Sequence, residues 1–317
     1  MRDRKVLVTG GNGHLGNTLA KALCDRGYDV RVTVRDTDEV KSSGIFDGYD
    51  VELYEADIRD ENAMKNAMQN IAGVFQVAAL YNYDEQSLGE GIVANNTQGS
   101  QTVLQLAKSG GVERVVFTSS IAAIGFNGTQ EQPLTENTWS DPADPYCRSK
   151  LESEQAAWSF AKEQDLDLIT ICPGIILGPN FYKHTPSTVN VGAFVNNQVP
   201  FRFPLQCSVA DVRDVAKAHI LAYEKKEASG RYLVSGTNVA DLVSALKDVE
   251  PDMVMPERVL TLDEARQLAE KSGTPVELVG QPYFYSDERV RSDLGWIPRP
   301  LKETLRDTVS WIKDRDL

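Results

Sequence analysis

Cysteines, long apolar runs and a secretory leader are scarce or missing in this sequence of 317 residues. No stretch approaches the roughly 18 consecutive apolar residues that a membrane-spanning helix needs. The charged N-terminus leads directly into a strand pattern, without the apolar segment of a signal peptide. The four cysteines form no Cys-x-x-Cys pair; they are Cys24, Cys147, Cys172 and Cys207. We therefore expect reduced thiols, no membrane association and a cytoplasmic protein.

Histidine and positive charge are also in short supply. The three histidines, His14, His184 and His219, lie too far apart for a metal-ligand motif, so we predict no metal site. The 33 Lys and Arg residues face 46 Asp and Glu residues, which gives a net charge of -13. Because this charge would repel phosphates, we do not expect nucleic acid as a partner.

Short apolar segments alternate with amphipathic ones over the first two-thirds of the chain. The apolar segments read "KVLVTG", "DVRVTV", "VELYEAD", "GVFQVAAL", "RVVFTSS" and "LDLITICPG". Runs of this length and composition are typical of strands buried on both faces of a parallel sheet. The segments between them, at 15–26, 61–68, 94–109 and 149–163, have helical patterns. This alternation predicts an α/β fold with a doubly wound parallel sheet.

A glycine-rich turn follows the first predicted strand, in "VTGGNGHLGNTLA". It fits G-x-G-x-x-G from Gly11 and G-x-x-G-x-x-G from Gly10. Glycines at these spacings let the backbone approach a pyrophosphate at the start of a helix. We therefore predict a Rossmann-type dinucleotide site. Its loop residues are Gly10, Gly13, His14, Leu15 and Gly16, with the backbone of His14 mattering more than its ring.

The end of the second strand bears on the choice between NAD and NADP. The last buried position there is predicted to be Val34, and Arg35 follows it. A guanidinium at that place suits a 2′-phosphate, so NADP(H) is favoured over NAD(H). Asp36 leaves NAD as an alternative, because a carboxylate at the strand end can bind the ribose 2′-hydroxyl.

Three further residues are assigned to the cofactor site. Asp57, after the third strand, could hold the adenine amino group, and the alternative for it is a helix cap. Ile58 beside it and Ala78 in the fourth strand segment complete the assignment.

The pattern changes near Pro173, where the chain becomes rich in Pro, Gly, Asn and Thr and is typical of loops and short helices. A helix at 211–226 and the strand "GRYLVSG" then follow. We predict a dinucleotide-binding domain of residues 1–173, rejoined by 205–237, and a smaller substrate lobe from 174–204 and 238–317. The cleft between these parts is the expected ligand site.

Tyr146 and Lys150 lie four residues apart in "DPYCRSK". On a helix they share one face, with Cβ atoms roughly 5–6 Å apart. Such a pair can be a surface tyrosine stacked on a lysine, or an acid–base pair. A fixed ammonium favours a phenolate and so lowers a tyrosine pKa from its usual value of about 10.

The motifs "TGGNGHLG", "YEADIRD", "VVFTSS", "YCRSK" and "DVRDVAKAH" together resemble an extended short-chain dehydrogenase/reductase. The likeness runs nearly end to end. The segments "VRVTVRD", "VFTSSIAAI" and "YCRSKLESE" most resemble the dihydroflavonol reductase, cinnamoyl-CoA reductase and aldehyde reductase branch. This resemblance implies an NADP-dependent carbonyl reductase or alcohol dehydrogenase acting on a small aldehyde or ketone. It also implies a homodimer seam at 94–109 and 149–163.

The resemblance implies roles for particular residues. Tyr146 would donate a proton to the carbonyl oxygen, and Lys150 would bond the nicotinamide ribose and lower the phenol pKa. Ser120 would bond the substrate oxygen, with Ser119 as the alternative. Pro173 would lie beside the nicotinamide, although Gly174 stands where the family often has a second proline.

Substrate contacts are predicted for aromatic residues that follow strand ends facing the cleft, and the alternative for each is loop packing. They are Tyr81, Phe126, Phe181 and Tyr182. We expect Asp211, Arg213 and Asp214 to cap a helix and join the two parts. An NAD-dependent sugar-nucleotide epimerase or dehydratase remains the alternative function, and a non-catalytic nucleotide sensor is a third.

Overall fold

The computed structural model describes residues 4–79, 90–142, 144–202, 206–272, 279, 283–315 and 317. The strands are β1 (Lys5–Thr9), β2 (Asp29–Val34), β3 (Val51–Glu55), β4 (Gly73–Gln76), β5 (Arg114–Thr118), β6 (Leu168–Pro173), β7 (Ile175–Leu177), β8 (Phe201–Arg202), β9 (Cys207–Asp211), β10 (Gly230–Val234), β11 (Thr237–Val239) and β12 (Arg258–Val259). The helices are α1 (His14–Asp25), α2 (Thr37–Ser42), α3 (Glu61–Ala67), α4 (Glu90–Ser109), α5 (Pro145–Gln164), α6 (Pro186–Val195), α7 (Val212–Glu224), α8 (Leu242–Val249), α9 (Leu262–Ser272), α10 (Glu288–Leu294) and α11 (Leu301–Lys313).

A seven-stranded parallel sheet forms the larger part, in the order β10-β6-β5-β4-β1-β2-β3. Its central strands are almost wholly apolar and buried, as expected where helices cover both faces. The chain runs outward in one direction from β1 to β3 and in the other from β4 to β6. Ligands bind at such a reversal, beyond the carboxyl ends of the strands. The predicted doubly wound sheet is confirmed.

Helices cover both faces of this sheet. One face carries α1, α7 and α10, whose core side chains include Leu19, Val215 and Leu294. The other carries α3, α4 and α5, with Leu104 and Ala157 among their buried residues. Helices α4 and α5 pack side by side. The dimer seam on them stays a prediction.

The second part is a three-stranded sheet, β11-β9-β7, packed with α6, α8 and α11 around a separate core. The sequence predicted loops and short helices after Pro173, whereas the structure has a strand of this sheet at Ile175–Leu177. Helix α7 and strand β10 pack in the larger part. Strand β9 lies in the smaller sheet, and α10 packs in the larger core. The division of the chain into two domains stays a prediction. In the segments that the structure describes, no helix is both long and apolar enough to span a bilayer.

Candidate active site

The turn between β1 and α1 needs glycines for its own geometry, Gly10 and Gly16 among them. Gly10 has φ +66°, and a Cβ there would lie 3.0 Å from the Cα of Ala78. A Cβ at Gly16 would lie 2.2 Å from the carbonyl oxygen of Gly10, which is far inside contact distance. The close approach of the helix to the strand end therefore requires glycine at both places.

Gly13 is different, because the fold does not require a glycine there. Its φ of -75° suits any residue, and a Cβ would meet only the Gly10 oxygen, at 3.3 Å. The lack of a side chain instead leaves room in front of the helix start. A pyrophosphate needs that room to reach the backbone.

Helix α1 also begins without a side-chain cap, unlike α2, α3 and α5. No side chain caps it, and its first turn carries no acidic residue. Helices α2, α3 and α5 each begin with an aspartate that accepts backbone N–H bonds: Asp36, Asp60 and Asp144. The N–H groups of the first turn of α1 and the positive helix end are thus available to an anion. The loop therefore fits a dinucleotide phosphate.

Two histidine rings near this edge serve packing. His14 donates from Nε2 to the carbonyl of Pro179 at 2.8 Å, and its ring is almost fully buried. His219 donates from Nδ1 to Val215 at 2.8 Å and lies 2.8 Å from Thr118 Oγ1. Burial lowers the pKa of each imidazole to about 4, so both are neutral at physiological pH. Leu15 is buried in the larger core.

Arg35 follows the last buried residue of β2, as the sequence predicted. Its side chain is exposed and makes no hydrogen bond or ion pair with the residues that the structure describes. The carboxylate of Asp36 accepts from the N–H groups of Asp38 and Glu39, both at 2.9 Å. The guanidinium is therefore available to a ligand, whereas that carboxylate is already bonded.

Asp57 is held by Arg59, which donates to its two carboxylate oxygens at 2.9 and 2.8 Å. The hydrogen bond from the Arg59 side chain is the main reason why the pKa of Asp57 lies below its usual value. The cap of α3 is Asp60, so the capping alternative for Asp57 was wrong. Ile58 packs closely against Gly99 on α4, and Ala78 lies against Gly10. Their assignment to the cofactor stays a prediction.

Helix α5 positions the tyrosine–lysine pair. Its N-cap, Asp144, accepts from Cys147 N at 2.8 Å, and Pro145 opens the first turn. Tyr146 therefore lies in that turn and Lys150 one turn later on the same face, both half-buried. Burial lowers the Lys150 pKa to about 8, opposed by the charge of Glu154. Within the described parts of the chain, the ammonium makes no hydrogen bond.

The two serines after β5 have separate environments. Ser119 is 3% exposed and donates to Glu154 at 2.5 Å. Ser120 is half-buried, and its Oγ accepts from Ala122 N at 3.1 Å. The Ser120 hydroxyl proton can therefore still be donated to a substrate oxygen. The short 3₁₀ turn that follows Ser120 packs against α5, which carries Tyr146.

A buried ion pair on the same face of α5 was missed by the sequence analysis. Glu154 is fully buried and accepts from Arg231 Nε at 2.7 Å and Nη2 at 3.0 Å. Thr170 donates to it at 2.7 Å. Arg231 also donates to two main-chain carbonyls at 2.7 Å and stacks on Trp139, with 3.6 Å between its Cζ and the ring centroid. The four-residue spacing from Lys150 to Glu154 was the one available signal.

Gly174 has a physical reason to replace the proline often found in the family. Its N–H donates to the Val234 carbonyl at 3.1 Å, which a proline could not do. A Cβ there would lie 2.6 Å from the carbonyl oxygens of Ser208 and Ser235. Pro173 is the buried last residue of β6, and its contact with a nicotinamide stays a prediction.

The aromatic residues predicted to touch substrate are dispersed. Phe181 is 1% exposed, with its ring centroid 5.2 Å from that of His14, so its position is that of a core residue and does not support a substrate role. Tyr182 contacts the glycine loop and α2. Phe126 is half-buried and packs on Tyr283. Tyr81 lies outside the described residues.

The acidic residues at the start of α7 cap this helix and anchor it to the second part of the molecule, as expected. Asp211 accepts from Arg213 N at 2.8 Å, and Arg213 reaches Asp307 on α11 at 2.7 Å. Asp214 accepts from the Arg299 side chain, which precedes α11. These contacts join the two parts of the molecule. Metal-binding clusters of His, Cys, Asp and Glu are absent from the segments described.

Comparison with known proteins agrees with this geometry. The profile of the NAD dependent epimerase/dehydratase family matches residues 6–235. The chain belongs to this family. As an extended short-chain dehydrogenase/reductase, it is 32% identical to cinnamoyl-CoA reductase 1 of Petunia hybrida over 98% of this chain and 92% of the relative.

Two further family members are informative. The bifunctional dihydroflavonol 4-reductase/flavanone 4-reductase of Malus domestica is 30% identical over 90% of this chain and 88% of its own. The NADPH complex of yeast methylglyoxal/isovaleraldehyde reductase Gre2 superposes with a TM-score of 0.79, at 24% identity over 98% and 99% of the two chains. The superposition shows the fold alone. The resemblance to this branch of the family, predicted from sequence, is confirmed.

Proposed function

We propose that this protein is an NADP(H)-dependent carbonyl reductase that uses Ser120, Tyr146 and Lys150. The observation that carries the proposal is the arrangement on α5. Tyr146 and a desolvated Lys150 share one half-buried face beside the Ser120 turn. The full-length similarity to cinnamoyl-CoA and dihydroflavonol reductases supports the reductase class.

Each residue has a defined task in carbonyl reduction. When bound, NADPH would supply the hydride for the carbonyl carbon, and the residues below would bind and protonate the carbonyl oxygen. Ser120 donates a hydrogen bond to the carbonyl oxygen, and Tyr146 transfers its phenolic proton to that oxygen as the alcohol forms. Lys150 is charged at neutral pH, because its pKa is about 8, and it stabilises the phenolate that remains. Solvent then restores the phenolic proton.

The cofactor preference rests on the end of β2. Among the described residues, the guanidinium of Arg35 has no bonded partner and can meet a 2′-phosphate, while Oδ1 of Asp36 accepts two backbone bonds at the start of α2. Asp36 is oriented as the N-cap of α2, so a ribose 2′-hydroxyl would have to bind its other carboxylate oxygen. The residues therefore fit NADP(H) better than NAD(H).

A sugar-nucleotide epimerase or dehydratase is the second candidate, because the matching family is named for these enzymes. The positions after Ser120 disfavour it, since buried Ala122 and Ala123 leave no acidic pair beside the serine. Denaturing the purified protein and identifying any released nucleotide separates the two. Tightly held NAD would favour the second candidate, and an empty site that takes up NADPH would favour the first.

The decisive assay follows NADPH oxidation with aldehydes, ketones, ketoesters, dihydroflavonols and hydroxycinnamoyl-CoA thioesters. Once a substrate is found, we expect Tyr146→Phe to lower kcat by about 10²–10⁴-fold, because the proton donor is lost. NADPH affinity should stay within a few-fold of wild type. Tyr28→Phe, whose hydroxyl bonds Glu224 away from this helix, is the control and should retain turnover. Normal turnover in Tyr146→Phe would refute the mechanism.

A further inference from the structure

A segment of the second part of the molecule crosses over the glycine loop. This crossing segment comprises residues 179–184. It begins at Pro179, which accepts from His14, and at Asn180, whose carbonyl accepts from Asn17 Nδ2 at 2.7 Å. Behind it, the carbonyl of Phe181 accepts from Trp311 Nε1 at 2.7 Å. The segment is thus fixed to both parts.

Its far end reaches the start of α2. Tyr182 accepts from Asn12 Nδ2 at 3.3 Å and donates to Glu39 Oε1 at 3.0 Å. Lys183 forms an ion pair with the same Glu39 oxygen. The hydroxyl of Tyr182 therefore joins the glycine loop to α2, and the ammonium of Lys183 lies beside it.

The ion pair between Lys183 and Glu39 is exposed, at 65% and 38% of the two side chains. A pair this exposed contributes little to stability and can exchange partners at small cost. The bond to Glu39 raises the pKa of Lys183 overall. The charge of Arg35 acts in the opposite direction and lowers this pKa slightly, so Arg35 lies in the neighbourhood of Lys183. Lys183 and Arg35 are thus two cations near the end of β2. The carboxylates around them already have other bonds: Glu39 pairs with Lys183, Asp36 accepts from backbone N–H groups, and Asp57 is held by Arg59.

This is the place where a Rossmann fold receives the adenosine ribose. A 2′-phosphate carries up to two negative charges and attracts both cations, whereas the 2′-hydroxyl of NADH carries none. We propose that Lys183 is a second ligand of the NADPH 2′-phosphate, beside Arg35, and that Glu39 holds it in place until the cofactor binds. The inference rests on the proposed NADP(H) preference and adds to it a residue from the opposite part of the molecule.

Direct binding tests the proposal without turnover. Dissociation constants for NADPH and NADH are measured by fluorescence titration for wild type, Lys183→Met and Lys226→Met. Lys226 is an exposed lysine outside the site, so its variant controls for loss of one charge. We expect Lys183→Met to raise the NADPH dissociation constant about tenfold and leave NADH within twofold. Lys226→Met should change neither, and thermal unfolding should show all three proteins folded.

Fragments of the cofactor locate the effect. Adenosine 2′,5′-bisphosphate should bind about tenfold more weakly to Lys183→Met, while 5′-AMP binds equally well to both proteins. Glu39→Gln should strengthen NADPH binding, because its carboxylate no longer competes for Lys183. A wild type that prefers NADPH, with the same preference in Lys183→Met, would overturn this inference alone. A wild type that binds neither dinucleotide would overturn the proposed function as well.

Discussion

Two ion pairs near the candidate site have opposite characters. The pair Glu154–Arg231 is 0% and 8% exposed, and both partners have further hydrogen bonds. The pair Glu39–Lys183 is largely exposed, and the neighbouring Arg35 has no partner among the residues described. The first pair is fixed, because breaking it leaves a charge in a dry interior. The second pair can accept a ligand, because it is open to solvent and lies near Arg35, which has no bonded partner among the described residues.

The largest difference should appear in stability. We expect Arg231→Met to lower the free energy of unfolding by about 3–5 kcal/mol, because Glu154 keeps a buried charge without its cationic partner. Urea unfolding measures this. In the control, Arg258→Met removes an exposed partner of Glu264 and should change the free energy of unfolding far less. Similar losses in both variants would remove the distinction between the two kinds of pair.

The glycine loop allows binding to be weakened without harm to folding. Gly13→Ala fits the free protein but fills the space for the pyrophosphate, so we expect about tenfold weaker binding of NADPH. Its free energy of unfolding should change by less than about 1 kcal/mol. Gly16→Ala, with its clash at 2.2 Å, should lose both stability and binding. Wild-type NADPH affinity in Gly13→Ala would show that the phosphate lies elsewhere.

The two lysines should separate turnover from binding as pH rises. Lys150 has a pKa of about 8, so its ammonium is lost above that pH and turnover should fall. The Lys183 pKa is raised, chiefly by its bond to Glu39, so this ammonium persists. We therefore expect kcat/KM to fall above about pH 8 while the NADPH dissociation constant changes little up to about pH 10. If kcat/KM and the affinity for NADPH fell together above about pH 8, these assignments would be contradicted.

The main sheet and the glycine loop were predictable because their signals are local. Buried strands such as β6 are continuous apolar runs, and the turn after β1 depends on glycine spacing within seven residues. The strand β7 was not predicted, because three residues between glycines carry too little pattern. It is a strand only because β9, thirty residues later, pairs with it.

The parts of the site that the sequence did not predict depend on contacts between distant segments. Glu154 and Arg231 are 77 residues apart, so neither identifies the other. Phe181 and Tyr182 are neighbours with similar side chains, yet one lies in the core and the other bonds Asn12. Which of them faces a ligand is decided by the packing of Trp311 and His14 around Phe181.

The two buried imidazoles set an acid limit for the folded protein. His14 and His219 have pKa values of about 4 here, whereas the unfolded chain takes up these protons at about pH 6.5. Stability is therefore lost as pH falls from about 6.5 towards 4, since each proton favours the unfolded chain. The bond from His14 Nε2 to Pro179 survives protonation, because the added proton goes to Nδ1, which has no partner among the described residues. The loss of stability therefore comes from charging a buried ring. Acid should therefore destabilise the fold by placing a charge inside it, where Phe181 and Pro179 cover the His14 ring.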